Sequence, residues 1–222
     1  MPANPYPHFN RREFIAALAA WGLTSPLPVA RAQTAPRFSQ DPFSLGVASG
    51  YPEPDGFVIW TRLAPASDEP RGGLAPNAIE VRWEVGADEN FRTIAATGRA
   101  LAQPADAHSL HIEVRGLESG RPYWYRFIAG DATSPVGRTK TAPAAGANVA
   151  KLQYALACCQ HYEQGYFTAY QHMLGDNLDL IVHLGDYIYE GAAAKGKLRS
   201  HRGGELDSLE DYRNRYALYR AD

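Results

Sequence analysis

Runs of alternating apolar and polar residues follow one another through the middle of this chain. The segment 79–85 reads Ile-Glu-Val-Arg-Trp-Glu-Val, so every second side chain is apolar. A period of two is typical of a β-strand with one buried face. Further runs of strand composition, separated by turns rich in Pro and Gly, span residues 56–63, 108–114 and 122–128. We therefore predict about seven short strands between residues 43 and 142, arranged as an all-β sandwich.

A Tyr-rich segment near the end of this region supports the sandwich. Residues 117–126 resemble the E–F corner of fibronectin type III domains, in which a Tyr hydroxyl bonds to backbone a few residues upstream. Tyr123 or Tyr125 would fill that role. We expect the aromatic side chains of this region to form core rather than a ligand-binding surface. His108 and His111 lack the spacing of metal ligands, and we expect them at the surface or at a strand edge.

The pattern changes after a linker-like segment at residues 143–150. Two near-continuous apolar runs, 152–158 and 178–184, predict buried parallel strands. Apolar residues at helical spacing lie between them, at Phe167, Tyr170 and Leu174. The order strand, helix, strand predicts a parallel pair with a right-handed crossover. A further helix is predicted over 206–220, capped by Asp207 or Ser208, with its charges on a solvated face.

Three side chains that suit a metal ion follow the ends of these two strands. Cys159 and Asp186 come just after them, and the carboxyl ends of parallel strands share the sheet edge where ligands bind. Tyr189, three residues after Asp186, can turn back toward the same point. Carboxylate and phenolate are hard oxygen donors that suit Fe3+ or Ca2+, and coordination deprotonates a thiol. We predict a metal-dependent hydrolase with Cys159, Asp186 and Tyr189 as metal ligands and Asp186, able to bridge two ions, as the catalytic residue.

The chain has only two cysteines, Cys158 and Cys159, and they are adjacent. They cannot form a disulfide framework. A vicinal disulfide in an oxidising compartment and a buried structural thiol at Cys159 are the alternatives to metal binding.

The first 32 residues have the features of an export signal. Arg11 and Arg12 precede a short Ala-rich apolar stretch, and Ala30-Arg31-Ala32 matches a small-x-small cleavage site. The segment 1–32 resembles a bacterial twin-arginine signal, which implies the twin-arginine export machinery as a partner and a periplasmic or secreted protein. Residues 33–42 would be a linker. We expect no membrane span after signal cleavage, and the net charge of −2 without a basic run argues against a nucleic-acid partner.

Six blocks of sequence together resemble the PhoD-type alkaline phosphatase/phosphodiesterase family. They span residues 43–50, 60–65, 135–139, 159–166, 183–190 and 209–216. The resemblance implies a multidomain protein, with a fibronectin- or Ig-like sandwich at 43–142 and the first βαβ part of an α/β metallophosphoesterase domain at 151–222. It also implies Fe3+ held partly by Cys159 and Tyr189, with Asp186 bridging to Ca2+. The implied activity is hydrolysis of phosphate ester substrates outside the cytoplasm, through charge neutralisation by the metals and activation of a bound hydroxide.

The end of the sequence departs from this family. Family members continue well beyond this point and supply further Asn, Asp and His ligands, so we expect a truncated product with little phosphatase activity of its own. The nearest alternative is a purple-acid-phosphatase-like enzyme, which would place Asp-x-Gly where this chain has Cys158-Cys159-Gln160. The alternative from a different class is a non-catalytic exported binding module.

Overall fold

The computed structural model describes residues 36–222, and the predicted export signal at 1–32 lies outside the described residues. The described strands are β1 (Val47–Glu53), β2 (Gly56–Arg62), β3 (Ile79–Gly86), β4 (Ile94–Ala102), β5 (Ser109–Val114), β6 (Pro122–Ala129), β7 (Ala132–Thr133), β8 (Gly137–Lys140), β9 (Tyr154–Ala157) and β10 (Leu180–His183). The described helices are α1 (Thr168–Met173) and α2 (Leu209–Arg220), together with 3-10 turns at Pro70–Gly73, Pro104–Asp106 and Tyr162–Gln164.

Strands β1 to β8 form two antiparallel sheets around a shared core. The first sheet has the order β1-β2-β5, and the second has the order β4-β3-β6-β7 with β8 also paired to β6. Both sheets contribute to one core cluster, which includes Phe57 and Ile59 of β2, Val81 and Val85 of β3, and Phe127 of β6. The predicted all-β region with aromatic side chains in its core is therefore confirmed, with one strand more than expected.

The tyrosine corner is formed by Tyr123 rather than Tyr125. The Tyr123 hydroxyl accepts a hydrogen bond from the backbone N–H of Glu118, five residues upstream, at 2.9 Å. Thr141 binds the same residue, because its hydroxyl donates to the Glu118 carbonyl at 2.8 Å. Tyr125 is buried as well, and its burial raises the pKa of its phenol to about 12.

His108 is buried, so the prediction of a surface or strand-edge position was wrong for this residue. Its Nε2 lies 3.0 Å from the carbonyl oxygen of Asn77. Burial lowers the pKa of His108, and the charges of Arg62 and Arg71 lower it further. His111 is exposed on β5, as expected.

Strands β9 and β10 are parallel, as predicted, and α1 lies between them in the sequence. The expectation that these strands are buried was wrong for the described chain, since Tyr154 and Ile181 are 57% and 52% exposed. The physical reason is that a sheet of two strands has two faces, and neither is fully covered within residues 36–222. Both strands are also shorter than the apolar runs from which they were predicted.

Helix α2 is capped at its N-terminus by Ser208, one of the two predicted caps. The Ser208 hydroxyl accepts from the Asp211 N–H, and the Asp211 carboxylate accepts from the Ser208 N–H, which together make a capping box. The expected solvated charged face was wrong for Arg215, which is 2% exposed. The reason is that its guanidinium is enclosed by backbone carbonyls of the segment that precedes α2.

The opposite side of α2 packs on the sandwich. Ala217 lies in a buried cluster with Leu45, Trp60 and Ala64. Arginine side chains make the polar contacts: Arg62 donates to the carbonyl of Arg213 at 3.0 Å, Arg213 to that of Ala105 at 2.7 Å, and Arg220 to that of Leu45 at 2.9 Å. Residues 36–222 lie within one compact unit. Across residues 36–222, no helix has both the length and the apolar character needed to cross a membrane.

Candidate metal centre

Parallel pairing of β9 and β10 brings Cys159 and Asp186 to one edge of the sheet. The register pairs His183 with Ala157, so both strands end at the same level. Backbone hydrogen bonds continue past the strand ends, from the N–H of Cys159 to the carbonyl of Gly185 at 3.1 Å and from the N–H of Gln160 to that of Asp186 at 3.2 Å. The positions of these two residues therefore follow from the ladder itself.

The three predicted ligands converge on one oxygen atom. The Sγ of Cys159 lies 3.6 Å from Oδ2 of Asp186, and the Tyr189 hydroxyl lies 3.1 Å from the same Oδ2. Cys159 and Asp186 are exposed, and Tyr189 is half-buried. Cys159 is thus not the buried structural thiol of the alternative interpretation, and both cysteines are free.

The backbone that aims these side chains has uncommon geometry. Cys159 has φ of 55° and Asp186 has φ of 52°, both in the left-handed region that non-glycine residues rarely adopt. Each such residue costs on the order of 1–3 kcal/mol, and such strain is concentrated at functional sites. Gly185, just before Asp186, also has positive φ, at 137°.

Two of the three predicted ligands, Cys159 and Tyr189, have pKa values raised above the ordinary values of their side chains. A hydrogen bond with Cys158 and the nearby charge of Asp186 raise the pKa of the Cys159 thiol. Burial and the hydrogen bond with Asp186 raise the pKa of the Tyr189 phenol. A bound cation would reverse this balance, since coordination favours the deprotonated form of each ligand.

The donor set fits a hard, highly charged cation only if the tyrosine takes part. Within residues 36–222, no group of three or more His, Cys, Asp and Glu side chains is placed to hold a metal ion. Cys159 and Asp186 supply one sulfur and one carboxylate, and Tyr189 adds the third donor. Phenolate and carboxylate oxygens suit a hard cation such as Fe3+ or Ca2+.

Several residues around the site were not assigned roles from the sequence. Gln160 is buried, and its amide donates to the carbonyl of Tyr187 at 2.9 Å and accepts from the hydroxyl of Tyr170. The ring of His161 lies against that of Tyr189, with 4.3 Å between their centroids. The adjacency of Gln160 and His161 to Cys159 is the one sequence signal that could have pointed to them.

The fold and the site together define a class of protein in which a β-sandwich adjoins a parallel strand pair with thiol, carboxylate and phenol donors at its carboxyl edge. Comparisons with known proteins identify the family. The sequence profile of the PhoD-like phosphatase N-terminal domain matches residues 29–143, and that of the PhoD-like phosphatase matches residues 154–222. The chain therefore belongs to the PhoD-like phosphatase family.

Two relatives show how much of such a protein this chain represents. It is 49% identical over 228 residues to alkaline phosphatase D of Bacillus subtilis (strain 168), covering 96% of this chain and 39% of the relative. The solved structure of PhoD matches with 52% identity and a TM-score of 0.81, covering 85% of this chain and 37% of that one. The chain thus spans about two fifths of the length of each relative.

Proposed function

We propose that this chain carries part of the metal centre of an exported phosphoric ester hydrolase of the alkaline phosphatase/phosphodiesterase type. The observation that carries the proposal is the convergence of the Cys159 thiol and the Tyr189 hydroxyl on one oxygen of Asp186. Membership of the PhoD-like phosphatase family supports a phosphate ester as the substrate. The same membership favours this enzyme over the purple-acid-phosphatase-like alternative.

In this proposal Cys159, Asp186 and Tyr189 would hold Fe3+, and the carboxylate of Asp186 would also be available to a Ca2+ ion. A carboxylate is suited to bridging because it has two donor oxygens. Bound cations would supply charge neutralisation at phosphorus and a more acidic water molecule. With both oxygens of Asp186 counted, three side chains fill at most four coordination positions, fewer than two ions require. We therefore expect this chain to bind metal but to hydrolyse a diester slowly.

We also propose the division of the chain into a fibronectin type III-like sandwich at 43–142, a linker at 143–150 and a metallophosphoesterase part at 151–222. The tyrosine corner at Tyr123 supports the fibronectin-like assignment.

The twin arginines at Arg11 and Arg12 support export by the twin-arginine machinery to the periplasm or the medium. Changing both to Lys should leave the protein in the cytoplasmic fraction, and unchanged export of that variant would contradict the proposal.

Titration of the purified chain with ferric nitrilotriacetate tests the metal centre. We expect a visible tyrosinate-to-iron charge-transfer band that Tyr189→Phe abolishes and Asp186→Asn weakens. Tyr187→Phe is the matched control. The Tyr187 ring packs on Tyr216, with 5.6 Å between centroids, and its hydroxyl is not one of the two groups that converge on the carboxylate of Asp186. The control should keep the band.

Three outcomes would decide between the functional interpretations. A band that depends on Tyr189 and Asp186 supports the hydrolase. A folded protein that binds no iron would contradict the proposed centre and favour the non-catalytic binding module. A band that persists in Tyr189→Phe and disappears in Tyr187→Phe would mean that the wrong tyrosine has been assigned.

A further inference from the structure

The segment that carries Asp186 and Tyr189 is shaped by side chains from outside it. Residues 184–207 contain no helix or strand. A chain segment of this kind keeps a fixed shape only if its backbone groups find partners elsewhere. The partners here come mainly from α2 and from the turn that follows Cys159.

Arg215 is the central partner of this segment. Its side chain lies in α2, and one guanidinium nitrogen, Nη1, donates to the main-chain carbonyls of Tyr189 and, at 3.1 Å, of Gly191. The other nitrogen, Nη2, lies 3.5 Å from each of the carbonyls of Arg202 and Gly204. The guanidinium therefore lies between the two ends of the segment. The planar, multiple-donor guanidinium suits this position, because it can bind several acceptors at once.

A buried carboxylate makes a second connection to the segment. Glu163, four residues after Cys159, accepts hydrogen bonds at 3.0 Å from the N–H groups of Ala194 and His201. His201 Nε2 lies 2.9 Å from the hydroxyl of Tyr219, a residue of α2. That hydroxyl also accepts from the N–H of Tyr162 at 3.1 Å. The backbone after Cys159 and the backbone after Asp186 are thus held on the same helix.

We propose that Arg215 is a positioning residue for the metal centre: by holding the Tyr189 carbonyl it fixes the backbone from which the phenol reaches Asp186. The inference rests on the proposed function, since it assigns to Tyr189 the role of a metal ligand. Arg215 does not bind the metal itself, because its guanidinium contacts the main chain of Tyr189 and not the phenol. Groups that orient metal ligands in this way typically change metal affinity by roughly 10- to 100-fold when they are replaced.

The test compares Arg215→Gln with Arg213→Gln in the full chain. Both variants lose one arginine from α2 and with it one trypsin site, but Arg213 donates to the carbonyl of Ala105 in the sandwich rather than to the Tyr189 segment. We expect Arg215→Gln to bind ferric nitrilotriacetate roughly 10- to 100-fold more weakly and to shift the charge-transfer band. Arg213→Gln should keep the affinity and the band of the unmodified protein.

A measurement without metal separates this proposal from the proposed function. Lys195 and Lys197 are trypsin sites within the segment. In the metal-free protein, limited proteolysis followed by mass spectrometry should show several-fold faster cleavage there in Arg215→Gln than in Arg213→Gln, because the segment opens locally more often. Equal cleavage rates would overturn the positioning role. If the unmodified protein gives no iron band, the proposed metal centre fails. The cleavage rates still decide whether Arg215 holds the backbone of the segment 184–207 in place.

Arg215→Lys serves if Arg215→Gln does not fold. A lysine keeps the buried positive charge but offers a single ammonium in place of the guanidinium fork. We expect an intermediate cleavage rate and an intermediate iron affinity. Wild-type values of both in Arg215→Lys would show that charge alone is sufficient and would overturn the assignment to the guanidinium geometry.

Discussion

Replacing Tyr123 with Phe tests the tyrosine corner that anchors the end of the sandwich. The ring of Tyr123 is 2% exposed, and its hydroxyl accepts the N–H of Glu118 at 2.9 Å. The substitution keeps the buried ring and removes only the oxygen, so apolar burial is almost unchanged. The Glu118 N–H then loses its partner at a partly buried position, so the expected cost is the net contribution of one hydrogen bond, about 1 kcal/mol.

Urea unfolding followed by Trp fluorescence measures this loss directly. Trp60, Trp83 and Trp124 all lie on strands of the sandwich and report on its unfolding. In a thermal scan, a loss of about 1 kcal/mol should lower the melting temperature by roughly 2–4 °C in a unit of this size. Because only one peptide group is affected, the dependence of the unfolding free energy on urea should keep its slope.

The matched control is Tyr125→Phe on the same strand. Tyr125 is equally buried, at 2% exposure, but among the described residues its hydroxyl receives no backbone N–H. We expect the control to lose less than Tyr123→Phe. The reasoning is refuted if Tyr123→Phe stays within about 0.5 kcal/mol of the unmodified protein, the range typical of substitutions without a specific role, or if both variants lose the same amount.

Two further predictions concern the sandwich. Gly137→Ala should cost about 1–3 kcal/mol of unfolding free energy through overpacking, because the added Cβ would lie 2.2 Å from Cζ of Tyr125. In the control Gly50→Ala the added Cβ meets nothing within 4 Å, so this variant should be almost neutral. Equal urea midpoints for the two variants would contradict the prediction. Burial lowers the pKa of His108 in the folded protein, so the unfolded chain binds a proton more readily than the folded protein does. The stability that is present above about pH 6.5 should therefore be lost as the pH falls toward the lowered pKa of the folded protein. Melting temperatures should depend less on pH in His108→Gln than in the exposed-site control His111→Gln, and identical pH profiles would show that His108 does not contribute.

Strand β6 was predicted correctly because it has one buried face. In β6, the side chains of Tyr123, Tyr125, Phe127 and Ala129 are buried, and those between them are more exposed, so the period of two was visible in the sequence. Strand β4 was missed because its residues, Ile94–Ala102, are mostly Ala, Gly and polar residues of low strand propensity. It forms because β3 offers a partner, and Gly98 leaves room for the ring of Trp83.

His108 shows that a correct pattern can be read incompletely. The alternation along 108–114 places His108 in phase with Leu110, Ile112 and Val114, the inward side chains of β5. The pattern therefore already indicated an inward ring. The prediction of a surface or strand-edge position rested on the absence of metal-ligand spacing, which carries no information about burial. A carbonyl partner such as that of Asn77 allows an imidazole to be buried.

The candidate site divides into a part that local rules determine and a part that depends on the tertiary fold. Parallel strands end at one edge, so Cys159 and Asp186 could be placed together across 27 positions of sequence from strand order alone. No comparable rule joins Arg215 to Tyr189, since their contact requires the irregular segment 184–207 to return to the helix that follows it. The charges of α2 also follow no amphipathic pattern, because Arg215, Ala217 and Tyr219 are all buried at a spacing of two residues. Helix α2 is contacted on one side by the sandwich and on another by the segment 184–207, so it has no single solvated face. For that reason Arg215 resembles an ordinary surface charge when only the sequence is available.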